Sequence, residues 1–130
     1  MRQELDNLLC QRYPAIFANR HGDPAQTSMG WGFTCGDGWF QIIDKLCSEI
    51  TRLVMAGEIP PIIARQVKSK AGYLRFRWVG QFGTHRHPKL LELIAWAEGE
   101  SERTCDECGA SAEPWTPGSR CHLCGAIRSY

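Results

Sequence analysis

The chain has 130 residues, of which 43% are hydrophobic, and it carries five Trp and five Phe. This composition supplies one compact core and excludes an intrinsically disordered chain. The formal net charge is only +1, so the chain lacks the overall basic excess of many nucleic-acid binders. No segment approaches the roughly 20 apolar residues that span a bilayer, and the polar N-terminal residues do not resemble a secretory signal. We therefore expect a cytosolic protein with reduced thiols and no membrane partner.

Two helices are predicted in the first half of the chain. Leucines at helical spacing predict a short amphipathic helix over residues 2–13, which Pro14 limits. Residues 15–36 are rich in turn-forming residues and predict no regular element. Asp37 is a candidate N-cap, and the apolar residues that follow it recur every three to four positions. This pattern predicts the most secure helix over residues 38–56.

A β-hairpin is predicted over residues 62–79, where apolar and polar side chains alternate around the turn signal Ala71-Gly72. With a loop of two or four residues, one face carries the apolar side chains Val67, Leu74, Phe76 and Trp78. The opposite face then gathers a polar set: Gln66, Lys68, Lys70, Tyr73, Arg75 and Arg77. A loop of three residues would scatter this set, so the predicted patch depends on the register.

A third helix and a metal-binding tail complete the predicted fold. Pro88 suits a first helical position, and an apolar stripe continues the helix to about residue 102. Residues 103–130 show no helical periodicity, and their two pairs of cysteines predict a zinc ribbon. The prediction is an α+β protein in which helices pack on a β-hairpin, with a C-terminal zinc-ribbon-like module built on four cysteines. Residues 1–102 form the core in this prediction, and residues 103–130 form the module packed on it.

Two Cys-x-x-Cys-Gly knuckles, separated by twelve residues, carry the clearest chemistry in the chain. Their cysteines, Cys105, Cys108, Cys121 and Cys124, have the spacing that surrounds one tetrahedral Zn²⁺ with four thiolates. Two disulfides and an iron site are the alternatives, and a reducing compartment disfavours the disulfides. His122 lies between two of the ligands and could replace one of them, although we expect it to be an exposed spacer. Because protein sulfurs fill all four positions, we expect a structural ion.

The charges are segregated along the chain. Between Glu58 and Glu92 there is no acidic residue, and seven Lys and Arg residues give this block a charge of +7. From Glu92 to Glu113, seven acidic residues face only Arg103, which gives −6. The two blocks pair with each other, lie as solvated faces, or form separate binding surfaces. The acidic residues predicted to meet a partner are Glu98, Glu100, Glu102, Asp106 and Glu107.

Four blocks of sequence resemble a group of small, hypothetical zinc-binding proteins from bacteriophages and prophages. The blocks are GDGWF at 36–40, IDKLC at 43–47, QVKSKAGYLRF at 66–76 and ESERTCDECG at 100–109. The similarity covers roughly residues 36–125. It implies a phage accessory protein that acts in the cytoplasm of a bacterial host.

Features of the sequence suggest three classes of function. The first is a non-enzymatic protein that binds and inhibits a host or phage protein, such as a defence or nucleic-acid-processing nucleoprotein complex, including an activity of the anti-CRISPR kind. The second is a nucleic-acid-binding regulator that uses the basic hairpin residues Lys68, Lys70, Tyr73, Arg75 and Arg77. The third, an enzyme built on Cys35, His85 and His87, has no supporting local motif. We therefore predict a binding protein and not an enzyme.

Overall fold

The computed structural model describes residues 1–22, 27–81, 83, 87–112, 121, 123 and 124. Its helices are α1 (Gln3–Arg12), α2 (Phe40–Met55) and α3 (Pro88–Glu102), with short 3₁₀ turns at Ser28–Trp31 and Asp37–Trp39. Its strands are β1 (Phe33–Thr34), β2 (Ile62–Lys70) and β3 (Tyr73–Gly80), and they form one sheet in the order β1-β2-β3. The predicted α+β class is confirmed. None of the described helices combines the length and the apolar character needed to cross a membrane.

The three predicted helices are present, and the main difference lies at the start of α2. Asp37 does not cap this helix: the chain enters α2 through a 3₁₀ turn whose N-cap position is Gly36. The Asp37 carboxylate instead accepts a hydrogen bond from the Arg2 main-chain N–H at 2.7 Å and pairs with Arg2 Nε at 2.8 Å. The predicted cap is therefore wrong, because an ion pair distant in sequence takes the carboxylate.

The hairpin has the even, two-residue loop on which the polar patch depends. Ala71 and Gly72 both adopt positive φ, at 53° and 88°, the backbone of a tight hairpin turn that matches strand twist. Lys70 faces Tyr73 across the turn, and Val67 faces Phe76 further along. The predicted register is confirmed, and it places the apolar and polar sets on opposite faces of the sheet.

Strand β1 was not predicted. It pairs in parallel with the middle of β2, where Phe33 lies opposite Val67 and Thr34 opposite Lys68. At the other end of β2 the register shifts between Ala64 and Gln66, which leaves a bulge there. Strand β2 is therefore central in the sheet, and β3 lies at its edge.

The core lies between the apolar face of the sheet and the helices. Helix α3 contacts both β3 and α2. Val67, Leu74 and Phe76 belong to the same buried cluster as Leu46 of α2 and Ile94 of α3. The predicted contact of this face with α3 is confirmed, and α2 contributes to the same buried cluster. Since α3 packs on the apolar face, the opposite, polar face of the hairpin is free of this helix.

Candidate functional site

The four predicted ligands converge. The Sγ atoms of Cys105, Cys108, Cys121 and Cys124 all lie within 4.8 Å of one another, and the thiols are free. Cys108 Sγ and Cys121 Sγ are 3.6 Å apart. A tetrahedral ion with metal–sulfur bonds of about 2.3 Å requires sulfur–sulfur distances of about 3.8 Å. The four thiols therefore form a cluster that could hold a metal ion, and they do not form the disulfides that were the alternative.

Hydrogen bonds and burial set different proton affinities within this cluster. Burial alone would raise the pKa of Cys105, but main-chain hydrogen bonds from Cys121, Cys108 and Glu107 to its sulfur bring the pKa to about 7. The pKa of Cys124 rises to about 12, first because its thiol bonds to the sulfur of Cys121 and also because of burial. A metal ion must displace such protons, so its binding depends on pH.

The first knuckle is bonded directly to the protein core. The Gly38 main-chain N–H donates to Asp106 O at 2.8 Å. The indole N–H of Trp39, whose side chain is fully buried, donates to Thr104 O at 2.9 Å. These two bonds join the entrance of α2 to residues on each side of Cys105. The cysteine cluster is thus joined by hydrogen bonds to the helix that the sequence predicted most securely.

Two glycines make this close contact with the knuckle possible. A Cβ atom at Gly36 would lie 1.9 Å from Asp106 O, and one at Gly38 would lie 2.1 Å from Cys105 O. Both contacts are with main-chain atoms, which cannot rotate away. In the sequence, the Gly-Asp-Gly-Trp block stood out as part of the resemblance to phage proteins. In the structure it forms the surface on which the first knuckle packs. Its role depends on contacts with residues far along the chain, so no local signal could have revealed it.

The second knuckle is described only in part. Cys121 is buried and Cys124 half-buried, whereas His122 lies outside the described residues. The division into a core and a module at residues 102 and 103 stays a prediction. The described part shows that the first knuckle is packed on the core.

The structure brings the predicted basic residues together on one face of the hairpin. This cationic sheet face consists of Lys68, Lys70, Tyr73, Arg75 and Arg77. Lys68 lies opposite Arg75, and Lys70 lies opposite Tyr73. Lys70 and Arg77 are exposed, and the other three are half-buried. Thr34 extends the face, because β1 places it beside Lys68.

The four cations of this face form no ion pair within the described part of the chain. The cations that do pair with carboxylates lie elsewhere: Arg2, Arg12, Arg20, Arg52, Lys89 and Arg103. Lys89 pairs with Glu58, and Arg103 pairs with Glu100 of its own acidic block. In the described part of the chain, the acidic block therefore does not neutralise the cations of this face through ion pairs.

The five predicted acidic residues do not share one exposed surface. Glu98 is half-buried in a groove beside Arg75 and Arg77. Glu100 pairs with Arg103, whereas Glu102 and Glu107 are exposed. Asp106, which lies within the first knuckle, is buried, with 4% of its surface exposed. The acidic block thus offers a partner a less continuous surface than the cationic sheet face does.

The residues of the weighed enzyme site are not seen together. Burial raises the pKa of Cys35 to about 12, and the nearby carboxylates of Asp106 and Asp37 act in the same direction. A nucleophilic cysteine needs the opposite shift, since the thiolate is the reactive form. His87 occupies the N-cap position of α3, and His85 lies outside the described residues. The absence of enzymatic activity stays a prediction.

Comparison of the chain with protein-family models, with curated proteins and with solved structures finds no match. The resemblance to phage proteins therefore stays a prediction.

Proposed function

We propose that this protein is a non-enzymatic accessory protein that binds and modulates an anionic macromolecular partner through its cationic sheet face. The observation that supports it is the set of four cations on one strand pair without an acidic partner in the described structure. Among the other described cations, six pair with carboxylates and Lys45 lies over the ring of Trp96. An unpaired cluster retains its full charge for a partner, which favours encounter and orientation.

The metal in this proposal is a structural Zn²⁺ held by Cys105, Cys108, Cys121 and Cys124. Four thiolates are a donor set that zinc favours, and iron is the alternative for the same set. When bound, the ion would supply charge compensation and a cross-link between the two knuckles. Its role is to hold the acidic C-terminal segment on the core.

The first class of partner is a protein of the host or of the phage. The phage resemblance would place it in the cytoplasm of an infected bacterium. Occupation of the anionic surface of a defence or nucleic-acid-processing complex would inhibit that complex, as an anti-CRISPR protein does. The exposed groups Lys70 and Arg77 would make first contact, and the half-buried Arg75 would align the bound surface.

Nucleic acid is the second candidate, and two observations favour it. Tyr73 lies among the cations, where its ring could stack on a base while the cations contact phosphates. Helix α3, which carries most of the acidic block, packs on the other face of the sheet. The acidic residues are thereby separated from a strand lying on the cationic face, except for Glu98 at the edge.

A matched pair of variants tests the proposal. One variant neutralises the face, with Lys68→Gln, Lys70→Gln, Arg75→Gln and Arg77→Gln. The control changes the net charge equally at four exposed helix positions, with Gln11→Glu, Gln41→Glu, Ser48→Glu and Ala95→Glu. Tagged wild type and both variants are used for capture from bacterial lysate, with and without nuclease.

We expect the wild type and the control to capture the same partner and the neutralised variant to lose it. Capture that survives nuclease indicates a protein, and capture abolished by nuclease indicates nucleic acid. For nucleic acid, a gel-shift titration at two salt concentrations should show a steep loss of affinity. Equal capture by all three proteins would contradict the proposal, because the cationic sheet face would then be irrelevant to binding.

A further inference from the structure

Strand β3 has an edge that can pair with a further strand. The pair Lys70 and Tyr73 closes the two-residue turn and is hydrogen-bonded, so hydrogen-bonded pairs alternate from there along the hairpin. Leu74 and Phe76 fall between them and direct their main-chain N–H and C=O groups away from β2. Past the bulge, Trp78 lies opposite Ala64 in the same outward orientation.

Two hydrogen bonds verify these directions. On β3, the Leu74 N–H donates outward to Ser101 Oγ of α3 at 2.8 Å. On β2, the Ala64 N–H donates away from β3, to Ile16 O at 2.7 Å. The outward groups of the hairpin are thus the ones that the register predicts.

Helix α3 covers only the beginning of this edge. Its Ser101 hydroxyl satisfies Leu74 and donates in turn to Glu98 O at 2.6 Å. Within the described residues, no corresponding partner meets the outward main-chain groups of Phe76 and Trp78. We call these groups the open edge. Exposed edges of this kind recruit added strands unless they are covered or carry charge.

A groove runs along the open edge. Its volume is about 460 Å³, and its lining residues are Tyr73, Arg75, Phe76, Arg77, Trp78 and Glu98. The charges in the groove are asymmetric: Arg75 and Arg77 lie on the polar face of the sheet, and Glu98 lies on the side of α3. An added strand would meet cations on one face, and apolar side chains with one carboxylate on the other.

We infer that the open edge binds an extended segment of a partner protein in which acidic and apolar residues alternate. Side chains of a strand point alternately to the two faces of a sheet. The acidic residues would lie beside Arg75 and Arg77, which have no ion pair in the described structure. The apolar residues would lie beside Phe76 and Trp78, where Glu98 disfavours a second acid. This inference rests on the proposed protein-binding function and specifies the form of the partner.

A second copy of this chain fits the open edge less well. Pairing of β3 with another β3 would bring the arginines of both strands onto the same face at neighbouring positions. Like charges in such cross-strand positions destabilise a sheet. The arginines therefore oppose self-association and favour an acidic strand.

Three peptides test the inference on the full-length, zinc-loaded protein. The first is a short capped peptide in which Glu alternates with Val. The second has the same composition in block order, and the third is the alternating peptide with N-methyl groups on every second main-chain nitrogen. Affinity is measured by tryptophan fluorescence, and the site is located by amide NMR shifts and hydrogen exchange.

We expect the alternating peptide to bind and to slow amide exchange at Phe76 and Trp78. The block peptide and the peptide methylated on its strand-pairing edge should bind at least about tenfold more weakly, about 1.4 kcal/mol. Arg75→Glu with Arg77→Glu should abolish this binding and confer binding of a Lys-Val alternating peptide, which also shows that the variant folds. The helix control with Gln11→Glu, Gln41→Glu, Ser48→Glu and Ala95→Glu changes the net charge by the same amount and should retain binding of the Glu-Val peptide.

Equal binding of all three peptides, or an unchanged exchange rate at Phe76 and Trp78, would overturn the inference. So would an oligonucleotide that protects these two amides when the peptides do not. These outcomes can be distinguished from failure of the proposed function. If partner capture still depends on the cationic sheet face when no peptide binds, the face acts in binding but the open edge does not.

Discussion

Replacement of Gly38 with alanine should separate the first knuckle from the core. The added Cβ would lie 2.1 Å from Cys105 O and 2.5 Å from Gly109 N, both of them main-chain atoms of the knuckle. Gly38 does not have a positive φ, so alanine is compatible with its backbone conformation. The whole effect therefore comes from the contact with the knuckle.

The expected loss follows from the bonds that this displacement breaks. The bonds from Gly38 N–H to Asp106 O and from the Trp39 indole to Thr104 O contribute about 1 kcal/mol each. Displacement of a packed segment by an inserted methyl group adds about 1–3 kcal/mol. A total of about 3–5 kcal/mol, if it falls wholly on the metal-bound knuckle, weakens zinc affinity by about 100- to 4000-fold.

Competition with a chromogenic chelator measures the zinc affinity, and urea denaturation measures the free energy of unfolding. Gly99→Ala is the matched control, since Gly99 lies inside α3 and the nearest atom to its added Cβ is an Arg103 side-chain nitrogen at 3.6 Å. Alanine there should stabilise the helix by up to about 1 kcal/mol and leave the zinc affinity unchanged. If Gly38→Ala retained the stability and zinc affinity of the wild type, the proposed packing of the first knuckle against Gly38 would be refuted.

Four other predictions concern the cysteine cluster and the core. Removal of zinc by a chelator should increase proteolysis within residues 103–130, and unchanged resistance would contradict a structural metal. Because hydrogen bonds hold the pKa of Cys105 at about 7, below its ordinary value of 9, its thiolate stabilises the folded chain at high pH. In the metal-free protein this contribution should decline as the pH falls from 9 to below 7, and pH-dependent urea titrations should show that slope. Trp39→Phe leaves the half-buried main-chain oxygen of Thr104 without its indole donor and should cost about 1–3 kcal/mol in urea denaturation. A loss below that range would mean that this bond contributes little. Asp6→Ala breaks the buried ion pair with Arg20, whose Nε lies 2.8 Å from the carboxylate, and should cost about 3–5 kcal/mol in the same assay. Double replacement of Asp6 and Arg20 by apolar residues should recover part of that loss, and no recovery would point to a role of Asp6 beyond the pair.

Local patterns predicted much of this fold. The alternation around Ala71-Gly72 assigned the faces of the hairpin only for an even loop, and the structure shows the two-residue turn that this assignment required. Helix α2 followed from apolar spacing, and α3 from Pro88 and its stripe. Strand β1 was missed because two residues carry no periodicity, and its parallel partner lies 34 positions away. Asp37 was misassigned because Arg2 takes the carboxylate that local sequence assigned to a cap.

The candidate site, like the fold, could be predicted from the sequence only in part. The spacing of Cys105, Cys108, Cys121 and Cys124 predicted a cluster that the structure shows. The sequence also predicted which cations share a face. It could not predict that Lys68 and Arg75 lack acidic partners in the described structure while Lys89 has one, because pairing depends on distances between elements. For the same reason the sequence did not reveal the burial of Asp106 or the packing of the first knuckle against Gly38.

The most direct test of the central claim is the affinity of the captured partner for the wild type, the face-neutralised variant and the charge-matched control. Isothermal titration at low and at physiological salt would measure it. The account predicts wild-type affinity in the control, loss of binding in the neutralised variant, and weaker wild-type binding at higher salt. Equal affinities for all three proteins would show that the partner does not bind at the cationic sheet face.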